Sequence, residues 1–164
     1  VLVANAGITK DTLLMRMTDD DWQSVIDTNL TGTFRVVRRA SRPMMRGRFG
    51  RIVLISSVVG LLGSPGQINY SSSKSALVGM ARSLTREIGS RNVTTNVIAP
   101  GFIETDMTAV LPDETIADYT RRIPAGRLGS VDDVAQAALF LAGDHAGYIS
   151  GAVIPVDGGL GMGH

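Results

Sequence analysis

Two rhythms alternate along the chain. Short runs of consecutive aliphatic residues, as in strands buried on both faces of a parallel sheet, are separated by longer stretches where apolar residues return every three or four positions, as on one helix face. Val1-Leu2-Val3-Ala4 reads as a strand that stops at Asn5-Ala6-Gly7. Thr18 then has the features of an N-cap, with Asp19, Asp20 and Asp21 in the first turn, where carboxylates favour the positive helix end. The helix that follows is marked by Trp22, Val25, Ile26, Leu30, Thr33, Phe34 and Val37 and ends near Gly47 and Gly50. Ile52-Val53-Leu54-Ile55 is a second strand ending at Ser56-Ser57, followed by a Gly/Pro-rich loop from Gly60 to Gly66. Leu77, Met80, Ala81, Leu84 and Ile88 mark another helix, closed by Gly89. Val93 to Ala99 is a third strand, stopped by Pro100-Gly101, and Phe102 to Gly129 is an irregular or helical excursion. Ser130 caps a short helix bearing Val134, Ala138 and Leu141, and Ala152 to Val156 is a fourth strand ending at Asp157-Gly158-Gly159.

Strands alternating with helices imply right-handed βαβ units and a doubly wound α/β parallel sheet, in which ligands bind beyond the carboxyl ends of the strands. Asn5-Ala6-Gly7, Ser56-Ser57, Pro100-Gly101 and Asp157-Gly158-Gly159 all fall at such ends, so these four turns are expected to converge on one edge. The plainer account is that Gly and Pro simply terminate strands.

Composition narrows the possibilities. The 164 residues suit one domain around one core, and 44% apolar with 19% charged residues excludes disorder. The absence of cysteine excludes disulfides, thiolate nucleophiles and Cys-ligated zinc, and two histidines leave no His-cluster metal site, so no metal is expected. A net charge of +1, with one Trp, three Tyr and four Phe, argues against a nucleic-acid partner. No apolar run reaches the ~18 residues of a membrane span. Val1-Leu2-Val3-Ala4 opens as a strand already under way, neither an initiator Met nor a signal peptide. The chain is therefore expected to be the back portion of a longer α/β protein.

Tyr70 and Lys74, four apart near a helix start, share a face about 40° apart. A Tyr of ordinary pKa is only ~0.1% phenolate at neutral pH, a weak base but a workable acid if its pKa falls, which a neighbouring ammonium such as that of Lys74 would promote. An exposed Tyr beside an exposed Lys is the ordinary alternative. Ser57, thirteen residues upstream at a strand end, can donate a hydrogen bond to a substrate oxygen. Asn29 lies mid-helix on the apolar stripe, where Asn has poor propensity and a buried amide needs partners. It can bond the neighbouring strand, serve chemistry, or both. Ser71-Ser72-Ser73-Lys74 contains the Ser-x-x-Lys pattern of serine acylases, but Ser-Asp-Asn and Lys-Thr-Gly are missing. Gly158 to Gly163 lacks the spacing and following helix of a phosphate loop and reads as a close-packed tail at a subunit contact.

Together, Asn5-Ala6-Gly7, Asn29, Ser57, Tyr70-x-x-x-Lys74 and Pro100-Gly101 resemble the short-chain dehydrogenase/reductase family in order and spacing, over essentially the whole chain. Leu14-Met15-Arg16-Met17, Asn29-Leu30-Thr31-Gly32, Ile103-Glu104-Thr105-Asp106-Met107, Pro124-Ala125-Gly126-Arg127 and Tyr148-Ile149-Ser150-Gly151 resemble more narrowly the β-ketoacyl-[acyl carrier protein] reductases of type II fatty-acid synthesis. The ending Gly161-Met162-Gly163-His164 is similar to actinobacterial versions.

The resemblance implies a cytoplasmic oxidoreductase with a Rossmann-like domain, of which residues 1–164 would be the C-terminal two-thirds. The first strands and the glycine-rich cofactor turn would be missing. It further implies NADPH-dependent reduction of a 3-oxoacyl-[acyl carrier protein] to the 3-hydroxyacyl form. Tyr70 would deliver the proton and Ser57 would polarise the ketone. Lys74 would bind the nicotinamide ribose and depress the Tyr70 pKa, and Asn29 would anchor a water that resupplies protons. Asn5, Ala6 and Gly7 would line the adenosine and ribose region, with Tyr70, Lys74, Pro100 and Gly101 also at the cofactor, and Ile103 and Thr105 would meet its carboxamide. Ser56 stands where many relatives carry Gly, a change expected to affect loop geometry. Phe102 to Pro124 would be a mobile lid. Arg46, Arg48 and Arg91 would form a basic dock for the acidic carrier, unless they are merely a solvated basic surface.

The preference for NADP over NAD follows from the resemblance alone, because the ribose 2′-reading residue belongs to the first βαβ unit. The long helices containing Asn29 and Tyr70 and the C-terminal segment would build a homotetramer. The chain by itself is expected to bind NADPH poorly and to lack reductase activity. Three rivals remain: a family member acting on acetoacetyl-CoA, a steroid or a polyol; a non-catalytic relative; and a Ser-x-x-Lys acylase, which predicts labelling of Ser71.

Overall fold

The computed structural model describes residues 1–105 and 112–162. The middle of the expected lid, with Asp106 and Met107, and the ending Gly163-His164 lie outside the described residues. The aliphatic runs form β1 (Leu2–Ala4), β2 (Gly50–Ile55), β3 (Val93–Pro100) and β4 (Val153–Val156), one parallel sheet in the order β1-β2-β3-β4. Leu2 lies beside Ile52, Ile52 beside Thr95, and Val97 beside Val153.

Every residue of β2 is buried, as a central parallel strand requires. The strand begins two residues before its aliphatic run and so takes Arg51 inside, 3% exposed. That guanidinium lies 4.5 Å over the Phe49 ring and donates to the carbonyls of Gly50, Asn92 and Gly143 at 2.8, 3.3 and 3.2 Å. Three carbonyl partners make a buried cation tolerable where an unpartnered one would be costly.

The first long helical stretch is three segments rather than one. After α1 (Asp19–Ile26), Asp27–Gly32 forms a π-helical turn, and α2 (Thr33–Gly47) follows. Thr18 caps α1 as expected: its Oγ accepts from the Asp21 N–H at 3.1 Å while the Asp21 carboxylate accepts from the Thr18 N–H. The buried residues are Val25, Asn29, Thr33, Val37, Ser41 and Met44, spaced almost uniformly by four. A straight α-helix turns about 40° past alignment over each four-residue step, so a stripe of fours needs a wider turn to stay in phase. The π turn supplies it, and the Thr33 hydroxyl donating to the Asn29 carbonyl at 2.8 Å stitches its end. Trp22 and Phe34, which the sequence places on the apolar helix stripe, are exposed at 38% and 47%. Phe34 instead carries the Arg38 guanidinium 5.1 Å over its ring.

The loop expected from Gly60 to Gly66 holds a short helix, α3 (Val59–Leu62), before Gly63 and Gly66 turn the chain at positive φ. It leads to α4 (Ile68–Ile88). Within the excursion after β3, α5 (Asp113–Arg122) brings the Tyr119 ring into a 4.1 Å stack with Phe102. Ser130 caps α6 (Val131–Ala142), its Oγ accepting from the Asp133 N–H at 3.1 Å. The Arg127 guanidinium hydrogen-bonds the Asp133 carboxyl and holds it well below the usual carboxylate range.

Both sheet faces are covered. Val37 and Met44 of α2 and Leu77, Ala81 and Ile88 of α4 pack with Ile52, Leu54, Val93 and Val97. On the other face Leu141, Val134 and Ala138 of α6 pack with Val53, Ile55 and Ile98. In a sheet of sequential, parallel strands, the first two crossovers run over one face and the third over the other, so the three cannot share one hand. The rule that all βαβ units are right-handed therefore yields here in at least one unit. The glycine tail is close-packed: a Cβ on Gly158 would stand 2.7 Å from Ile123 and 3.0 Å from Ala125.

Candidate active site

Three of the four strand-end turns meet. Asn5, Gly7, Ile8, Thr9, Ile55, Ser56, Ser57, Tyr70, Lys74, Pro100 and Gly101 surround a cleft of about 450 Å³ at the carboxyl edge of the sheet. The fourth turn does not join it. Asp157, Gly158 and Gly159 line a neighbouring cleft with Ala125, Arg127, Gly129 and Asp133. Ala6, Ile103 and Thr105 are not among the walls of the first cleft, and Ile103 is instead bridged to Gly129.

The end of β2 places Ser57, and the first turns of α4 place Tyr70 and Lys74. Ser57 Oγ accepts from the Val59 N–H at 3.2 Å, and its hydroxyl lies near enough to the Tyr70 phenol to lower that group's pKa. Lys74, 4% exposed, donates from Nζ to the Ile55 carbonyl at 2.8 Å and lies 5.7 Å over the Tyr70 ring. An ammonium has three donors, so two remain for other partners. Burial lowers the Lys74 pKa from 10.5 to about 8. A Cβ on Gly7 would come within 3.2 Å of Lys74 Nζ and 3.3 Å of Asn29 Oδ1, so glycine here keeps the approach to the ammonium open.

Tyr70 departs from expectation. Its pKa is raised, chiefly by burial, with the Ser57 hydroxyl pulling it down and the Asp11 carboxylate pushing it up. The net direction is therefore upward, opposite to the depression expected from Lys74, with burial the largest cause. The phenol is thus held protonated, the form a proton donor needs.

Asn29 is fully buried behind the cleft. Its Nδ2 donates to the Ile8 carbonyl at 3.0 Å and to Ser73 Oγ at 3.1 Å, and its Oδ1 accepts from the Ile8 N–H at 2.8 Å. Both amide donors are taken by protein groups, so any water held by this side chain must bond the remaining lone pair of Oδ1.

Three residues matter more here than the sequence suggested. Ser56, read as a change of loop geometry, donates from Oγ to the Lys74 carbonyl at 2.8 Å and ties β2 to α4. Asn69 and Ser73, both 0% exposed, bond the Tyr70 backbone on either side. A polar residue flanking Tyr70 was the available signal, but it is indistinguishable from surface polarity at a helix start. Ser71, the nucleophile of the acylase alternative, has a buried hydroxyl with no hydrogen-bond partner and so no base in contact.

Arg46, Arg48 and Arg91 do come together, with Arg42 and Met45, around a cleft of about 500 Å³. They sit before the amino ends of β2 and β3, on the edge opposite Ser57. Among the described residues no group of three or more His, Asp and Glu could hold a metal, and no helix is long and apolar enough to cross a membrane.

The family model described as enoyl-(acyl carrier protein) reductase matches residues 1–161. The 3-oxoacyl-[acyl-carrier-protein] reductase FabG of Salmonella typhimurium is 52% identical over 162 residues, which cover 99% of this chain and 66% of that protein. The 3-oxoacyl-[acyl-carrier-protein] reductase MabA of Mycobacterium tuberculosis is 54% identical over 164 residues, covering 100% and 66%. The crystal structure of a putative gluconate dehydrogenase from Agrobacterium tumefaciens superposes with a TM-score of 0.94 at 34% identity, over 99% of this chain and 65% of that one. The chain thus spans just under two thirds of the length of these curated relatives.

Proposed function

The chain belongs to the short-chain dehydrogenase/reductase family, and from that premise we propose that its protein reduces a 3-oxoacyl-[acyl carrier protein] to the 3-hydroxyacyl form with NADPH. The observation that carries this reading is the single cleft in which Ser57, Tyr70 and Lys74 meet. The cofactor fits what this chain offers: an ammonium with two unused donors, beside a glycine where a Cβ would crowd it. Lys74 and Tyr70 would hold the nicotinamide ribose, Asn5, Ala6 and Gly7 the adenosine side, Pro100 and Gly101 the opposite wall, and Ile103 and Thr105 the carboxamide. When bound, the nicotinamide supplies hydride to the ketone carbon. Ser57 donates a hydrogen bond to the ketone oxygen, and Tyr70, protonated at neutral pH, delivers its proton there. Asn29 would hold the water that resupplies that proton. A cytoplasmic location accords with this activity.

The test is substrate discrimination in the whole protein. An acetoacetyl thioester with NADPH is expected to turn over well above NADH, polyols or gluconate. Faster oxidation of gluconate, the substrate named for the structural neighbour at 34% identity, would overturn the reading.

A pH profile follows from Lys74. kcat/KM for NADPH, which reports the free enzyme, is expected to fall as pH rises through about 8, where the ammonium loses its proton and its hold on the ribose weakens. Stability runs the other way. The folded pKa lies below the ordinary 10.5, so between about 8 and 10.5 the folded form binds fewer protons and this group's contribution grows with pH. A kcat/KM profile flat well above pH 8 would remove the Lys74 charge from the mechanism.

The carrier is proposed to dock on Arg46, Arg48 and Arg91. Because β2 is six residues long, this patch lies roughly 20 Å from Ser57 at ~3.3 Å per residue. A carrier seated there would serve the cleft of another copy, consistent with a homotetramer in which the exposed Phe34 and Val36 of α2 and Leu139 and Phe140 of α6 are covered. Arg48→Glu and Arg91→Glu are expected to raise KM for a carrier-linked substrate roughly fivefold, as for exposed pairs of ~1 kcal/mol, with little change for a free thioester. Equal effects on both substrates would exclude docking at this patch.

A further inference from the structure

Tyr70 is the residue whose position matters most in the proposed reaction, and its side chain leaves a helix start, where backbone N–H groups have no intrahelical partner. Gln67, the residue before α4, offers no side-chain cap. Asn69 takes over. Its Oδ1 accepts from the Tyr70 N–H at 2.8 Å, while its Nδ2 donates to the Lys10 carbonyl at 3.0 Å and the Asp21 carbonyl at 3.3 Å. One fully buried amide thereby joins the loop after β1, the first turn of α1 and the first turn of α4.

The carbonyl side of the same residue is held as well. Ser73 Oγ donates to the Tyr70 carbonyl at 2.7 Å and accepts from Asn29 Nδ2 at 3.1 Å. Asn29 is in turn bonded twice to Ile8, so the carbonyl of Tyr70 is linked through two buried side chains to the strand-end turn that lines the cleft. Asn69, Ser73 and Asn29 are each buried, and Asn69 and Ser73 have both donor and acceptor roles filled by protein groups. Networks of this kind fix geometry, because a displaced member leaves a buried group unsatisfied.

We infer that Asn69 and Ser73 are positioning residues that set the Tyr70 hydroxyl against Ser57 and the substrate oxygen from the N–H and carbonyl sides respectively. This rests on the reading of Tyr70 as the proton donor. Neither residue touches the cleft, so their contribution is expected in the chemical step rather than in binding.

The experiment is steady-state kinetics of Ser73→Ala, Asn69→Asp and Ser73→Thr in the whole protein, with thermal melts and NADPH titration alongside. Ser73→Ala removes one hydroxyl, and Asn69→Asp keeps the acceptor for the Tyr70 N–H while losing both amide donors. Each is expected to lower kcat by about 10- to 100-fold, the scale of a misplacement near 1 Å, with KM and NADPH affinity within about twofold. The profile of kcat against pH should shift in both, and Ser73→Thr should restore most of the Ser73→Ala loss. A purely structural role would lower the melting temperature and the active fraction together, leaving the pH profile and kcat per folded molecule unchanged, and that result would overturn the inference. If one variant does not fold, the other still decides by the same readouts. Tyr70→Phe is the control: retained turnover there would refute the proton-donor reading itself, whereas its loss beside normal kinetics of Ser73→Ala and Asn69→Asp would refute only the positioning.

Discussion

Tyr70→Phe is expected to lower kcat on the order of 10³-fold, the middle of the range for a positioned general acid and equivalent to about 4 kcal/mol of barrier. The substitution removes one oxygen. The ring stays in place against the Lys74 ammonium, 5.7 Å from its centroid, and the backbone remains held by Asn69 and Ser73. What is lost is the proton and the polar contact with Ser57. Ser57 cannot substitute as donor, since an alcohol is a far weaker acid than a phenol. Stability should fall by no more than about 1 kcal/mol, the usual worth of one hydrogen bond. NADPH binding in the whole protein should persist because Lys74 keeps its charge and position. The check is single-turnover reduction of an acetoacetyl thioester beside a thermal melt. Turnover within tenfold of the unsubstituted protein would exclude Tyr70 as the acid, and a collapsed melt would instead assign the hydroxyl a structural role.

That experiment tests a residue visible in the sequence, and the reason it was visible is specific. Tyr70 and Lys74 share a helical face by spacing alone, and Ser57 ends a strand whose unbroken aliphatic run admits one interpretation. The caps Thr18 and Ser130 were legible for the same reason, being local chemistry. What escaped depends on neighbours distant in sequence. Trp22 and Phe34 fall on a plausible α-helical stripe, but the buried stripe runs through Val25, Asn29, Thr33 and Val37 because a π turn changes the phase. No single-sequence periodicity announces that turn. Arg51 precedes the aliphatic run yet lies buried inside the strand, made tolerable by carbonyls 41 and 92 residues away. The direction of the Tyr70 shift is set chiefly by burial of the phenol, which spacing along the chain does not reveal. Asn69 resembled any polar residue at a helix start until the loop after β1 closed over it.

Gly60→Ala is where two local rules give opposite signs. In the middle of α3, replacing Gly by Ala removes conformational freedom from the unfolded chain and on propensity alone would stabilise by about 1 kcal/mol. The packing says otherwise. A Cβ there would lie 2.9 Å from Lys74 Cβ, 3.0 Å from the Lys74 carbonyl carbon and 3.0 Å from the Ser75 nitrogen. None of these is the free end of a flexible side chain, so relief requires α3 to move away from α4 at the turn that carries Lys74. Overpacking of this kind costs ~1–3 kcal/mol, which outweighs the propensity gain and predicts a net loss near 1 kcal/mol. The larger effect is expected on catalysis. Shifting the Lys74 backbone strains the Ser56 hydroxyl bond to its carbonyl and the Nζ bond to Ile55, both 2.8 Å. A displacement near 1 Å would reduce kcat/KM roughly 10²-fold. Gly47→Ala at the end of α2, where a Cβ meets nothing within 4 Å, is the matched control and should be neutral or slightly stabilising with full activity. Melting temperature and kcat/KM measured on both variants decide the matter. If Gly60→Ala is as stable and as active as Gly47→Ala, the close approach of α3 to α4 does not hold Lys74 in place, and the site owes its geometry to the hydrogen bonds alone.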